Sequence, residues 1–277
     1  MDAPQPDDLN TARPGLPAPS PVTLVIIPFV IAGIWVLENY LLAGTPRIFQ
    51  RLDPPGLVLY TALAGILVGI IIPIVRLRAA FLSGAVNMFQ IGFRSARRTG
   101  AAVFLTAVAC GAIFLFANIP GLGPDPGETA ALFLLLLPVS VAAVMICWVL
   151  VGTHIQAYVR CEGIVVSVIT GVLVTALVFV LSMAALIPGP VPGDLLGGFF
   201  AAGCISAFFF FAVRDVYACI LLVASCLVAL LKPVINPAYL VPVNFVVVFC
   251  GFVVMITLVG IHGYLSRHYT TIMLPQK

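Results

Sequence analysis

The sequence RLRAAFLSGAVNMFQIGFRSARR, residues 76–98, is the one long interruption in an otherwise apolar chain. It has five arginines and no acidic residue, and an apolar run lies on either side of it. Arginine-rich loops of membrane proteins stay in the cytoplasm, so this stretch predicts both a membrane protein and its orientation. The candidate residues for binding lipid phosphates or a partner are Arg76, Arg78, Arg94, Arg97 and Arg98.

The composition also indicates a membrane protein. Of the 277 residues, 62% are hydrophobic and 8% are charged. A soluble domain carries about a quarter charged residues, so most of this surface is predicted to face lipid. The net charge of +3 is too small to indicate nucleic-acid binding. The seven cysteines include no C-x-x-C pair, and we predict no disulfide framework, no metal site and no cofactor.

Apolar runs of roughly 20 residues are long enough to cross the hydrocarbon core of a bilayer. Eight such runs predict an all-α, polytopic membrane protein with about eight transmembrane helices and one cytoplasmic amphipathic helix. Six to eight spans stay open, because only Arg214 and Asp215 separate the sixth and seventh runs and the seventh is short. The predicted spans are 21–43, 56–75, 99–118, 129–151, 163–187, 195–213, 216–231 and 241–262.

The distribution of positive charge predicts the orientation. With 76–98 in the cytoplasm, ten of the thirteen Lys and Arg residues lie on the cytoplasmic side, and the reverse orientation would invert this bias. Both termini are then cytoplasmic, and we predict a multi-pass protein of the plasma membrane. Its parts are a disordered tail at 1–20, a helical membrane domain at 21–262 and a cytoplasmic tail at 263–277.

The amphipathic helix is predicted from apolar residues that recur with helical spacing within 76–98. Two arrangements stay open. The helix lies on the inner leaflet with its arginines at lipid phosphates, or it extends the second and third spans and packs on the bundle. The apolar residues are Phe81, Leu82, Ala85, Met88, Phe89 and Phe93.

Glu38, in WVLENYLL, is the clearest intramembrane polar residue. Ionisable groups within hydrocarbon are costly and indicate function by default. Glu38 could bind a cation or carry a proton. It could instead be an interfacial carboxylate beside Trp35 and Tyr40 that pairs with Arg47, and its position near the outer end of the span favours this second interpretation. With no other acid or base predicted at mid-membrane, an ion-coupled transporter is the less favoured function.

Small residues predict close helix packing at two steps. Gly65 and Gly69 form a GxxxG step in the second span, and Gly197 and Ala201 form a similar step in the sixth. Such steps let helix backbones approach closely. They indicate packing within the bundle or a homodimer.

Residues 154–231 resemble a degenerate member of the CPBP family of intramembrane proteases, the relatives of the CAAX proteases. The EExxxR motif of that family corresponds to IQAYVR, residues 155–160, in which only Arg160 matches. Its FxxxH motif corresponds to 179–183, where Phe179 is present and Met183 replaces the histidine. The resemblance implies a protease-like fold without the catalytic residues.

A weaker resemblance is to the exosortase and archaeosortase family. The sequence Cys161-Glu162-Gly163-Ile164 is similar to its C-x-G-I step, and Arg214 in VRDVY is similar to its later arginine. This resemblance implies a cysteine transpeptidase that uses Cys161 and Arg214, with His262 or Arg267 as the final basic residue. With Arg160 from the protease resemblance, the candidate catalytic residues are Cys161, Arg160 and Arg214. The predicted orientation opposes it, because Cys161 would be cytoplasmic whereas that family acts on the outer face.

The sequence contains no complete catalytic, metal, nucleotide or ion-relay constellation. We therefore predict a non-catalytic membrane protein that acts as a scaffold or binds membrane lipids or a protein partner. An intramembrane protease or sortase-like transpeptidase is the alternative, and a transporter is less favoured.

Overall fold

The structure, a computed structural model, describes residues 21–43, 53–82, 91–116, 126–159, 162–187, 189–232, 234–235 and 244–270. These residues form eight helices, α1 to α8, and no strand, which confirms the predicted all-α fold. Helical segments that follow one another without a break are treated as one helix. The helices are α1 (Pro21–Glu38, continued by a π-helical turn at Asn39–Ala43), α2 (Pro54–Tyr60, π-helical over Thr61–Ile71, then Ile72–Leu82), α3 (Ala96–Phe116), α4 (Pro126–Ala143, π-helical over Val144–Gly152, then Thr153–Tyr158), α5 (Ile164–Leu186), α6 (Gly193–Val213), α7 (Val216–Leu231) and α8 (Phe245–Thr270).

Every described helix except α7 is long and apolar enough to cross a bilayer. Although α7 has only 16 residues, it runs between the two ends of the bundle. Asp215, just before it, bonds to Thr99 in the first turns of α3. Lys232, just after it, lies 3.9 Å from Glu128 in the first turn of α4. The chain is therefore an all-α polytopic membrane protein with seven or eight spanning helices.

Helix α4 occupies the centre of the bundle. It spans Pro126–Tyr158, and 94% of its most apolar window is buried inside the protein, against 11% to 50% for the other long helices. It contacts α1, α2, α5, α6, α7 and α8. Because α4 is apolar on all sides, it presents no polar face to solvent and can be enclosed completely by other helices.

The GxxxG step of α2 packs against α4. Packing within the bundle was one of the two interpretations of this step, and a homodimer was the other. A Cβ added at Gly69 would lie 2.7 Å from the Cβ of Ala142, and one added at Gly65 would lie 3.4 Å from the Cβ of Pro138. The other predicted step does not pack in this way. Gly197 on α6 has open space around it, whereas Gly203 is the glycine that approaches Ala176 on α5.

Several helices extend past the predicted spans. Arg76 and Arg78 lie on α2, and Arg97 and Arg98 lie in the first turns of α3, so four of the five arginines are helical. Likewise, α4 continues to Tyr158 and α8 to Thr270. Residues 83–90, most of the predicted amphipathic helix, lie outside the described residues, as does the predicted tail at 1–20. Of the predicted tail at 263–277, residues 263–270 belong to α8 and residues 271–277 lie outside the described residues.

The two ends of the bundle differ in charge. We call the basic end the one at which α2, α4, α6 and α8 finish and at which α3, α5 and α7 begin. It carries the arginines of 76–98 together with Arg214. The opposite end is where α1 and α5 finish and where α2 and α4 begin. Which end faces the cytoplasm stays a prediction.

Candidate functional site: the basic end and an apolar groove

The link between α6 and α7 is the centre of the basic end. Arg214 ends α6 with a left-handed backbone, at φ 54°, and this turns the chain directly into α7. Asp215, which is fully buried, accepts a hydrogen bond from the backbone N–H of Ala218 at 2.9 Å and so caps α7. The other carboxylate oxygen of Asp215 accepts a hydrogen bond from the hydroxyl of Thr99 on α3 at 2.8 Å.

The segment before α3 is fixed to this same link. The backbone N–H of Val216 donates to the carbonyl of Gly92 at 3.1 Å, and Nε of Arg94 donates to the carbonyl of Arg214 at 2.9 Å. Gly92 has φ 85°, and a Cβ there would lie 3.2 Å from the backbone of Val216, so the close approach requires glycine. Phe93 is buried next to it. The described end of 76–98 therefore packs on the bundle.

The side chain of Arg214 ties α6 to α4. Its Nη2 donates to Oε1 of Gln156 at 2.7 Å, and its guanidinium lies over the rings of Phe210 and Phe211. Burial, with the Arg94 guanidinium nearby, lowers the pKa of Arg214. This predicted catalytic candidate thus has a clear structural role: it joins the ends of two helices.

The predicted lipid-binding arginines form two groups. Arg94 is partly buried and holds the α6–α7 link. The other four, Arg76, Arg78, Arg97 and Arg98, are exposed on the last turns of α2 and the first turns of α3. Their charges are therefore displayed on helix ends on either side of residues 83–90, rather than along a free loop.

An apolar groove of about 490 Å³ extends inward from the basic end, between α3, α4, α7 and α8. Its polar residues are Thr99, Tyr217 and His262, all near the basic end. The hydroxyl of Tyr217 lies 3.1 Å from Nδ1 of His262. The groove's deeper wall is formed by residues such as Val103 and Met255. The groove is thus polar at one end and apolar along the rest of its length.

The groove was not predicted from the sequence. Tyr217 and His262 lie 45 residues apart, and only the fold brings them together. The ring of His262 also stacks on Phe93, with centroids 4.9 Å apart. The sequence signals were weak: His262 was one of two candidate basic residues in the sortase-like resemblance, and aromatic residues at a membrane interface are common in membrane proteins.

Two of the predicted catalytic candidates, Arg160 and Cys161, lie outside the described residues. Among the residues that are described, no group of three or more His, Cys, Asp or Glu side chains could hold a metal ion. Met183, at the position of the histidine in the CPBP motif, is fully buried on α5.

Glu38 belongs to a different region, near the opposite end. One of its carboxylate oxygens is shielded from solvent and has no hydrogen-bond partner within the part of the chain that the structure describes. The fully buried neighbour Asn39 accepts a hydrogen bond from Tyr60 at 2.8 Å and donates to the carbonyl of Ser182 at 3.3 Å. Asn39 therefore links α1, α2 and α5, a role that the sequence analysis did not assign to it.

The distance between the two regions can be judged along α5. Ser167, which donates to the carbonyl of Gln156 at the basic end, is fifteen residues before Ser182. At 1.5 Å per residue this is about 22 Å. Glu38 is therefore not part of the arginine site.

Comparison with protein-family models, with curated proteins and with solved structures gives no match for this chain. Neither resemblance noted in the sequence gains support from these comparisons.

Proposed function

We propose that this multi-pass membrane protein is a scaffold that binds anionic lipid through its basic end. The observation that carries the proposal is the display of four exposed arginines, Arg76, Arg78, Arg97 and Arg98, on helix ends. The hydrogen bonds around Arg214 support it, because they hold the first turn of α3 in a fixed position.

The strength of the attraction follows from the number of charges. A juxtamembrane basic residue contributes about 1 kcal/mol of attraction to an anionic leaflet. Four such residues would therefore enrich anionic lipid strongly around this end of the bundle. In the predicted orientation this end faces the cytoplasm of the cell, where the leaflet is the more anionic one.

The test is the lipid content of the protein after purification in mild detergent from vesicles with equal amounts of phosphatidylcholine and phosphatidylglycerol. The wild-type protein is expected to be enriched in phosphatidylglycerol, as measured by mass spectrometry of the extracted lipids. Replacing all four arginines by glutamine should remove the enrichment. Replacing them by lysine is the matched control, and it should preserve the enrichment because a charge-based attraction needs only the charge.

Two results would contradict the proposal. One is a wild-type protein whose lipids have the same ratio as the vesicles. The other is a glutamine variant that keeps the full enrichment, which would move the binding away from these arginines.

A further inference from the structure

We infer that the groove between α3, α4, α7 and α8 is a specific site for a single phospholipid, with one acyl chain in the groove and the phosphate at Arg97. This inference rests on the proposed lipid binding and deepens it from a general attraction to a defined site. Three properties of the groove carry it: its size and lining, its polarity along its length, and the charges at its mouth.

The size and the lining of the groove fit an acyl chain. Its volume of about 490 Å³ lies within the range of about 300–1,000 Å³ typical of ligand sites. Cavities with apolar walls do not hold ordered water, because water needs several polar partners. The groove is open on one side. One of its walls, α3, has the smallest buried share among the described long helices, 11% of its most apolar window, so it lies at the periphery of the bundle.

The direction of the groove matches that of a lipid in the leaflet. On α3 it runs from Ala96 to Val103, and on α8 from His262 to Met255. Seven residues of helix correspond to about 10 Å, so the groove extends inward along the helix axes from the basic end. An acyl chain in a bilayer has the same direction, with its headgroup at the surface.

The charges at the mouth suit a phosphate. Arg97 and Arg98 are exposed in the first turn of α3, where Ala96 and Thr99 line the groove. Successive helical residues point about 100° apart, so Arg97 flanks the mouth and Arg98 lies further around the helix. Asp215, the acid that bonds to Thr99 in the groove wall, is buried and also accepts from the N–H of Ala218, so two donors face its carboxylate. Guanidinium groups bind phosphate oxygens through paired N–H donors.

The polar pair inside the mouth suits a neutral part of the headgroup. Nδ1 of His262 lies 3.1 Å from the hydroxyl of Tyr217. A neutral imidazole with an unprotonated Nδ1 accepts this hydrogen bond, so Tyr217 is the donor. The phenolic oxygen of Tyr217 then keeps an acceptor position for a headgroup hydroxyl or N–H.

The test fills the groove without disturbing the helix. Gly100 lines the groove, and a Cβ there has nothing within 4 Å, so Gly100→Leu places a side chain in the cavity. Gly111 is the matched control, because it lies on the same helix, also has open space, and does not line the groove. Eleven residues are about three turns, so both glycines lie on one side of α3.

Native mass spectrometry then counts the phosphatidylglycerol molecules that resist delipidation. The wild-type protein and Gly111→Leu are expected to retain one molecule each, and Gly100→Leu is expected to lose it. A wild-type protein that retains no stoichiometric lipid, or a Gly100→Leu variant that retains it fully, would overturn the inference. Finding a bound protein or peptide, instead of a lipid, on the purified wild-type protein would also overturn the inference.

A second measurement uses the unchanged protein and does not depend on how a variant folds. Phosphatidylglycerol with a photoreactive group at the end of an acyl chain should crosslink preferentially near Val103 and Met255. Equal crosslinking on all lipid-facing helices would contradict a defined site.

The two proposals fail in distinguishable ways. If the wild-type protein shows no general enrichment in phosphatidylglycerol but still retains one molecule in native mass spectrometry, only the scaffold proposal is rejected. If the wild-type protein is enriched in phosphatidylglycerol but retains no stoichiometric lipid, only the proposed lipid site in the groove is rejected.

Discussion

Gly69→Ala should destabilise the protein by separating α2 from the central helix. A Cβ at this position would lie 2.7 Å from the Cβ of Ala142 and 3.0 Å from its Cα, so the backbones must move apart. It would also lie 2.8 Å from the carbonyl oxygen of Ala64 on its own π-helical segment. Overpacking of this kind typically costs about 1–3 kcal/mol.

Gly65→Ala is the matched control for this change. It lies one turn away on the same helix, and its Cβ would make only an ordinary contact, 3.4 Å from the Cβ of Pro138. Both variants gain the same helix propensity, about 1 kcal/mol. The difference between their unfolding free energies therefore isolates the steric cost, and we expect Gly69→Ala to be less stable by about 1–3 kcal/mol.

The assay is equilibrium unfolding by sodium dodecyl sulfate in mixed micelles, followed by tryptophan fluorescence. Both tryptophans, Trp35 and Trp148, are fully buried, so unfolding changes their surroundings. In the double variant, Ala142→Gly removes the closest contact and should recover part of the stability lost in Gly69→Ala. Equal stability of the two single variants would refute the reasoning, because it would mean that α2 and α4 do not approach closely at Gly69.

Two further predictions concern the opposite end and the orientation. Tyr60→Phe and Asn39→Ala should each destabilise the protein, and a double-mutant cycle in the same assay should give a coupling of about 0.6 kcal/mol, the average for interhelical hydrogen bonds in membranes; additive effects would mean that the bond contributes nothing. A cysteine at exposed Ala96 should react with a membrane-impermeant maleimide only after the cells are permeabilised, whereas one at exposed Gly193 should react in intact cells. The reverse pattern would invert the predicted orientation.

The sequence predicted the helices well and their ends poorly. Hydrophobicity detects the part of a helix that lies in hydrocarbon, but a helix does not end where the bilayer ends. The segment THIQAY was therefore interpreted as part of a loop, although Thr153–Tyr158 continues α4 and places His154 in the protein interior. The arginines of 76–98 were assigned to a loop for the same reason.

The central position of α4 was not predictable from hydrophobicity. An apolar residue is equally suited to lipid and to the protein interior of a membrane bundle, so hydropathy does not distinguish an enclosed helix from a peripheral one. The same limit applies to Asn39. Glu38 is the ionisable residue and was therefore the predicted intramembrane polar site, but consecutive residues point about 100° apart on a helix, and it is the uncharged Asn39 that faces the core.

The enclosed helix also has a consequence for biosynthesis. In chain order, α4 enters the membrane before α5, α7 and α8, three of the helices that cover it, have been translated. During that interval its flanks meet lipid. The hydroxyls of Ser140 and Thr153 are already bonded to carbonyls of their own helix, and so is the ring of His154. These three polar groups of a nascent α4 therefore enter the bilayer with a hydrogen bond already made, before its later neighbours arrive.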